Sequence, residues 1–175
     1  MSEEKNCGKD MACGKEYSTA HVLLDNVPYA IMVSIGAIVL WKVFGLIYGL
    51  GFVVWGLAGA LWFMVFICPY CHFYGTKICP CGYGIVSSRF MPKKDGSQFA
   101  KKFKRHIPVI FPLWFLPVIA GGYAYFNGGL SGSMVTLLVV FALDAFVILP
   151  YVSRKYGCSE CSQKDDCPWM GKKKG

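Results

Sequence analysis

The sequence predicts an all-α integral membrane protein: a four-transmembrane-helix bundle with a cysteine-rich cytoplasmic loop and a cysteine-rich cytoplasmic tail. Composition is the first reason. The 175 residues are 55% hydrophobic and only 16% charged, whereas soluble domains carry about 25% charged residues. The second reason is where the charge is missing. Two long apolar blocks, 27–67 and 107–152, each contain a single charged side chain, Lys42 in the first and Asp144 in the second.

Each apolar block is long enough for two membrane helices, because one crossing needs about 20 residues. In the first block the glycines from Gly45 to Gly51 can turn the chain, and in the second the segment 127–132 is rich in Asn, Gly and Ser. The polar pair Asp25 and Asn26 is expected to start the first helix. The predicted spans are therefore about 28–45, 50–67, 107–126 and 133–152.

The basic residues predict which parts of the chain share one side of the membrane. Of the 18 Lys and Arg residues, all except Lys42 fall in three segments outside the apolar blocks. Basic residues near membrane helices stay in the cytoplasm, so we expect a multi-pass protein of the cell (inner) membrane with both termini cytoplasmic. The chain then divides into an N-terminal segment 1–26, helices 1 and 2 in 27–67, a basic loop 68–106, helices 3 and 4 in 107–152 and a tail 153–175.

All nine cysteines lie in those same three segments and none lies in a predicted span. They are Cys7, Cys13, Cys68, Cys71, Cys79, Cys81, Cys158, Cys161 and Cys167. The cytoplasm keeps thiols reduced, so clustered cysteines there are more often metal ligands or catalytic groups than structural disulfides. The clustering therefore predicts metal ligation or redox chemistry on one face of the membrane.

The spacing of the cysteines allows two four-ligand sites. The loop has the pattern C-x2-C-x7-C-x-C and can supply four thiolates alone, from Cys68, Cys71, Cys79 and Cys81. The tail supplies three, from Cys158, Cys161 and Cys167, and its fourth ligand would come from Cys7, Cys13 or His72. Tetrahedral thiolate sets bind either zinc or iron–sulfur clusters. Proline follows three of the cysteines, as it follows a ligand in ferredoxin-type motifs, which favours an iron–sulfur cluster and leaves zinc as the alternative.

Two short motifs offer competing interpretations of the segment that begins at Cys68. Cys-Pro-Tyr-Cys is typical of glutaredoxin active sites, which predicts a thiol–disulfide oxidoreductase that uses Cys68 and Cys71. The position after a helix C-terminus argues against it, since the helix dipole is negative there and disfavours a thiolate. With His72 the motif also fits covalent attachment of haem c, but that attachment occurs on the outer face, whereas the charge pattern places this segment inside.

Asp144 lies near the centre of the fourth predicted span. An ionised carboxylate at that depth costs about 2.5–3.5 kcal/mol on insertion scales. It is either a site for a proton or a quinone headgroup, or a neutral acid that is hydrogen-bonded across the bundle.

The sequence contains no nucleotide-binding loop, catalytic triad or paired carboxylates, and the basic charge is explained by topology rather than by nucleic acid binding. We expect a membrane electron-transfer subunit that carries iron–sulfur cluster(s) and relays electrons between a soluble donor and a membrane carrier or partner subunit. The bilayer, partner subunits and a quinone are the expected partners. A zinc-stabilised membrane scaffold or assembly protein, and the thiol oxidoreductase, are the alternatives.

Overall fold

A computed structural model of the chain describes residues 16–129 and 131–158, with side chains as far as Lys155. This part of the chain is all helical and contains no β-strand. Four helical segments are long and apolar enough to cross a membrane, and they are Thr19–Phe44, Leu46–Tyr70, Gly96–Phe126 and Gly132–Lys155. The predicted all-α architecture, with four helices long and apolar enough to cross a membrane, is therefore confirmed for the described residues.

The α-helices of the described residues are α1 Thr19–Phe44, α2 Leu46–Phe66, α3 Tyr83–Ser87, α4 Phe99–His106, α5 Phe111–Phe126, α6 Gly132–Leu143 and α7 Leu149–Val152. Short 3₁₀ turns lie at Cys68–Tyr70, Gly96–Gln98 and Ile107–Ile110, and π-helical segments lie at Asp144–Ile148 and Ser153–Cys158. The second, third and fourth spans are thus composite, and only the first is one continuous α-helix.

Helix α1 begins well before the predicted start. Ser18 is its N-cap, and the Ser18 side chain accepts a hydrogen bond from the backbone N–H of His21. This satisfies one of the free amides of the first turn, which is what an N-cap serine does. The prediction that Asp25 and Asn26 start the helix is wrong, because both lie inside α1, where the Asn26 amide donates to the carbonyl of Val22 at 2.7 Å. Asp25 is consequently carried into the bundle.

A single residue separates α1 from α2. Gly45 has φ 100° and ψ 170°, a backbone conformation that glycine alone adopts readily. Its N–H donates to the carbonyl of Trp41 at 2.8 Å and closes the last turn of α1. The second span therefore starts at Leu46, earlier than predicted from the Gly-rich segment.

Glycines of α2 bring it into close contact with α1. A Cβ on Gly49 would lie 2.9 Å from the backbone oxygen of Ala37, and one on Gly56 would lie 2.9 Å from both Cγ atoms of Val33. The hydroxyl of Tyr29 donates across the interface to the carbonyl of Gly56 at 2.8 Å. Small residues allow helices to pack this closely in a membrane, and here they serve packing within the chain.

The fourth span widens into a π-helical turn before Pro150. The N–H of Leu149 donates to the carbonyl of Asp144, five residues back, and Pro150 has no N–H to donate. In the π-helical pattern the donor to the carbonyl of Ala145 would be the N–H of residue 150, which is a proline. The indole N–H of Trp114, on α5, donates to that carbonyl at 3.0 Å, so the irregular turn ties the third span to the fourth.

The central loop, the start of α1 and the end of the fourth span lie at the same end of the bundle. The backbone N–H of Tyr17 donates to the carbonyl of Lys77 at 3.0 Å, and the Asn26 amide donates to the carbonyl of Cys81 at 3.1 Å. Ser153 lines the same cleft as Cys81. The described parts of the segments that the charge pattern assigns to one side therefore lie at the same end of the bundle.

Candidate functional site

The first two loop cysteines flank a single tight turn directly after α2. Residues Cys68–Tyr70 form one 3₁₀ turn, and its second residue is Pro69. The backbone N–H of Cys71 donates to the carbonyl of Cys68 at 3.0 Å and closes the turn. Cys68 is 9% exposed, and Cys71 is half-buried.

The second pair of loop cysteines lies in a turn that leads into α3. The N–H of Cys79 donates to the carbonyl of Thr76 at 3.3 Å, and the N–H of Gly82 donates to the carbonyl of Cys79 at 3.1 Å. Gly82 has φ 73°, a left-handed conformation that suits glycine. The chain reverses there and starts α3 at Tyr83, so the backbone amides after Cys81 point back towards the cysteines.

The sulfur of Cys79 lies among hydrogen-bond donors. It is 3.7 Å from the sulfur of Cys81 and accepts the backbone N–H of Gly84 at 3.4 Å. The hydrogen bond with Cys81 lowers the pKa of the Cys79 thiol to about 7, burial opposes this, and the amides of Gly84, Gly82 and Cys81 add to the lowering. The pKa of Cys81 is raised, because it retains the shared proton, is desolvated, and faces the charges of Cys79 and Cys68. The turn therefore favours a thiolate at Cys79.

Gly84 is fitted tightly against this sulfur. A Cβ at Gly84 would lie 2.8 Å from the backbone oxygen of Phe73 and 3.4 Å from the sulfur of Cys79. The oxygen belongs to the backbone and has little room to move. The N–H of residue 84 reaches the sulfur only because residue 84 has no side chain.

Hydrogen bonds to α1 and α2, and one within the loop, hold the loop in place. Besides the bond from Asn26 to Cys81, the hydroxyl of Ser87 donates to the carbonyl of Met64 on α2 at 2.6 Å, and Ser87 is fully buried. The backbone N–H of Lys94 donates to the carbonyl of Pro69 at 2.8 Å. The cysteine turns are therefore part of a folded cap on the bundle.

A cleft of about 550 Å³ runs from the loop cysteines into the bundle. It passes between α1, α2, α5 and the fourth span, with the aromatic face of α4 along one side. All four loop cysteines line it, and the aromatic side chains along it are Tyr29, Phe63, Phe73, Tyr83, Phe99, Phe103, Phe111, Trp114, Phe115 and Phe146. Burial raises the pKa of the Tyr83 hydroxyl above its ordinary value, which keeps that hydroxyl neutral.

Asp25 contributes a carboxyl group to the same cleft. Its Oδ1 atom is buried and has no hydrogen-bond partner among the described residues. Sequence reasoning missed Asp25, because it was taken as a helix start rather than as a half-buried residue that lines a cleft. The Ser18-Thr19 pair, read as an N-cap, is the signal that would have placed Asp25 inside the helix.

A comparison with known proteins finds no matching family model, no similar curated protein and no matching solved structure.

The predicted metal ligands are only partly assembled. Across residues 16–129 and 131–158, no three His, Cys, Asp or Glu side chains form a group that is arranged to hold a metal ion. The structure does bring the four loop cysteines to one cleft, with two sulfurs in contact. His72 lies beside them in sequence, and its ring stands edge-on to Phe73 with centroids 6.0 Å apart.

The tail and N-terminal candidates are not tested by the structure. Cys7, Cys13, Cys161 and Cys167 lie outside the described residues, and only the backbone of Cys158 is described. The second predicted four-ligand site therefore stays a prediction.

Asp144 is buried, as its place in an apolar span required. It is 3% exposed, and its Oδ2 atom has no hydrogen-bond partner among the described residues. It begins the π-helical turn whose next residues, Ala145 and Phe146, line the cleft. A π-helical turn is frequent at functional positions, so the prediction of a proton or quinone site at Asp144 stays open.

Proposed function

We propose that the protein is a membrane electron-transfer subunit whose loop cysteines hold an iron–sulfur centre. The observation that carries this proposal is the 3.7 Å distance between the sulfurs of Cys79 and Cys81. Two thiolates at about 2.3 Å from one tetrahedral ion lie about 3.8 Å from each other. The two sulfurs are therefore spaced as two ligands of one metal ion.

The same distance favours one type of centre. Each iron of a [4Fe–4S] cluster takes one cysteine, whereas each iron of a [2Fe–2S] cluster takes two. We assign Cys79 and Cys81 to one iron and Cys68 and Cys71 to the other. When bound, this centre supplies one-electron transfer. Because the four side chains do not form a closed group beforehand, metal binding is coupled to closure of the loop, as is common for cysteine sites.

The protein holds Cys79 as a thiolate and shields its sulfur from water. The Gly84 amide donates to the sulfur, and hydrogen bonds to cluster sulfurs are one of the means by which proteins set a reduction potential. The cleft continues from the cysteines along aromatic side chains into the bundle, which supports delivery of electrons to a carrier in the bilayer or to a partner subunit. Asp144 is the proposed proton group next to that path.

The basic residues of the loop indicate on which side of the membrane the site lies. The loop surface carries ammonium groups close to the site, since the Nζ atoms of Lys94 and Lys102 lie 5.5 and 5.4 Å from the ring centre of Tyr70. A basic face suits an acidic soluble donor. By the positive-inside rule we place this face in the cytoplasm and the protein in the cell membrane.

The test is the metal content of two paired variants. The full chain is purified without oxygen, and iron, zinc and acid-labile sulfide are measured per protein. Cys79→Ser and Cys81→Ser are each expected to lose most of the iron and sulfide. Ser88→Ala is the matched control, because Ser88 is exposed in the same loop, and it should retain both. Unchanged iron in the two cysteine variants would contradict the assignment.

A zinc-stabilised scaffold is the second candidate, and the same sulfur distance supports it, because zinc also binds thiolates tetrahedrally. In that case the wild-type protein would contain zinc without iron or sulfide. The thiol–disulfide alternative receives less support. The thiol whose pKa is lowered is that of Cys79, through its hydrogen bond with Cys81, whereas the glutaredoxin-like motif is at Cys68 and Cys71.

A further inference from the structure

The cleft has the size and lining of a ligand site. Its volume of about 550 Å³ falls within the range of about 300–1,000 Å³ that is typical of small-molecule pockets. Its walls are almost entirely apolar, and aromatic rings are supplied from several elements, including Phe63 on α2, Phe103 on α4 and Trp114 on α5. The rings of Phe63 and Phe103 meet edge to face with centroids 6.3 Å apart. Such walls suit a flat ring better than a polar solute.

Most polar groups along the cleft are already engaged. The Tyr29 hydroxyl donates to the carbonyl of Gly56, and the Asn26 amide donates to the carbonyls of Val22 and Cys81. The Trp114 indole N–H donates to Ala145. The buried Oδ1 of Asp25 is different, because it has no partner among the described residues. A buried polar atom without a partner costs about 1–3 kcal/mol, and a ligand in the cleft can remove that cost.

We infer that this cleft binds the ring of a quinone-class lipid and that Asp25 forms the polar contact to the ring oxygen. A carboxyl group can donate to a quinone carbonyl when it is protonated and accept from a quinol hydroxyl when it is ionised. The aromatic walls cover the ring, and the apolar tail leaves along the bundle into the bilayer. This inference rests on the proposed function, because the quinone would be the membrane carrier that receives electrons from the centre at the loop cysteines.

An acyl chain of an ordinary phospholipid is the occupant that must be distinguished. It would fill apolar volume, but it offers no polar group to the buried Oδ1 atom of Asp25. Both a ring lipid and an acyl chain would be excluded by a large side chain at Ala60, which lines the cleft from α2. Only the ring lipid would be weakened by removal of the Asp25 carboxyl group.

The experiment is photolabelling of the full chain in phospholipid nanodiscs with an azido-ubiquinone, with the labelled peptides mapped by mass spectrometry. Iron and sulfide are measured on the same sample. We expect label on cleft peptides of α2, α4 and α5, displaced by excess decylubiquinone and not by excess oleate. Asp25→Ala should reduce displaceable labelling about tenfold, as loss of one well-placed hydrogen bond predicts. Ala60→Phe should abolish it.

Two matched variants make the result specific. Leu57→Phe adds the same ring as Ala60→Phe on the same helix, at a side chain that is 64% exposed on the outside of the bundle, and should leave labelling unchanged. Asp95→Ala removes an exposed carboxyl group in the loop and should also have no effect. Displacement by oleate as efficient as by decylubiquinone, or labelling that Ala60→Phe leaves intact, would overturn the inference. Labelling of the cleft in a protein that contains no iron would contradict the proposed electron-transfer function alone. Iron in the protein without labelling of the cleft would contradict this inference alone.

Discussion

The backbone N–H of Gly84 reaches the sulfur of Cys79 across 3.4 Å, and a Cβ at residue 84 would lie 2.8 Å from the carbonyl oxygen of Phe73. The hydrogen bond to Cys79 therefore depends on the absence of a side chain at residue 84. The turn at Gly82 and the first residues of α3 place this amide against the sulfur of Cys79.

Gly84→Ala is expected to lower both metal content and stability. The new methyl group must push residue 84 away from Phe73, which lengthens the hydrogen bond to Cys79 and costs about 1–3 kcal/mol in overpacking. Iron per protein and the thermal midpoint are the readouts. Gly122→Ala is the matched control, since a Cβ there meets nothing within 4 Å and alanine favours a helix. Equal behaviour of the two variants would show that the tight fit at Gly84 has no consequence.

Asn26→Ala tests how α1 holds the loop. The variant removes the amide that donates to Cys81 at 3.1 Å and to Val22 at 2.7 Å, so a loss of about 1 kcal/mol and a faster loss of metal to a chelator are expected. Asn127→Ala removes a comparable bond, to the carbonyl of Tyr123 at 2.8 Å, in an exposed turn away from the cysteines. Equally fast release of metal from Asn127→Ala and Asn26→Ala would contradict a role of Asn26 in holding the loop.

Gly56→Ala tests the contact between α1 and α2. Its Cβ would lie 2.9 Å from both Cγ atoms of Val33, so we expect a loss of about 1–3 kcal/mol in a reversible detergent-denaturation titration. Gly51→Ala lies on the same helix with nothing within 4 Å and should be neutral or slightly stabilising. Adding Val33→Ala to Gly56→Ala should recover part of the loss, and no recovery would mean that the clash is not the cause.

Trp114→Phe tests the link between the third and fourth spans. The variant leaves the carbonyl of Ala145 without its donor, at a cost of about 1–3 kcal/mol. Pro150→Ala restores a backbone N–H at the end of the π-helical turn and offers that carbonyl a donor from its own helix. In a double-mutant cycle the cost of Trp114→Phe should therefore shrink when Pro150→Ala is present. Strict additivity of the two changes would refute the explanation given for the wide turn.

Long-range apolar patterns made the architecture predictable. The two blocks 27–67 and 107–152 gave four spans, because the need to bury backbone groups in lipid leaves helices as the simplest solution. The close packing of α1 on α2 is a different case, since a residue without a side chain matters only where another helix approaches, as Val33 of α1 approaches Gly56 of α2. The grouping of the loop with both flanking segments followed from charge.

The details of the site depended on contacts that no local pattern encodes. Asp25 was expected at a helix start, but the cap at Ser18 moves it into the cleft. The contact between Cys79 and Cys81 arises from the left-handed turn at Gly82 and from anchoring by Asn26, which is 55 residues away in sequence from Cys81. The π-helical turn follows from the missing N–H of Pro150, yet its partner Trp114 lies on another span.

An iron–sulfur centre at the loop cysteines is tested most directly by the absorption spectrum of anaerobically purified protein, with iron, zinc and acid-labile sulfide assayed on the same sample. We expect broad visible absorption that dithionite bleaches, with iron and sulfide in equal amounts. A colourless protein that contains zinc without iron or sulfide would contradict it and leave a zinc-stabilised scaffold. A sharp Soret band would contradict it as well, and would place the segment from Cys68 to His72 on the outer face with covalently attached haem.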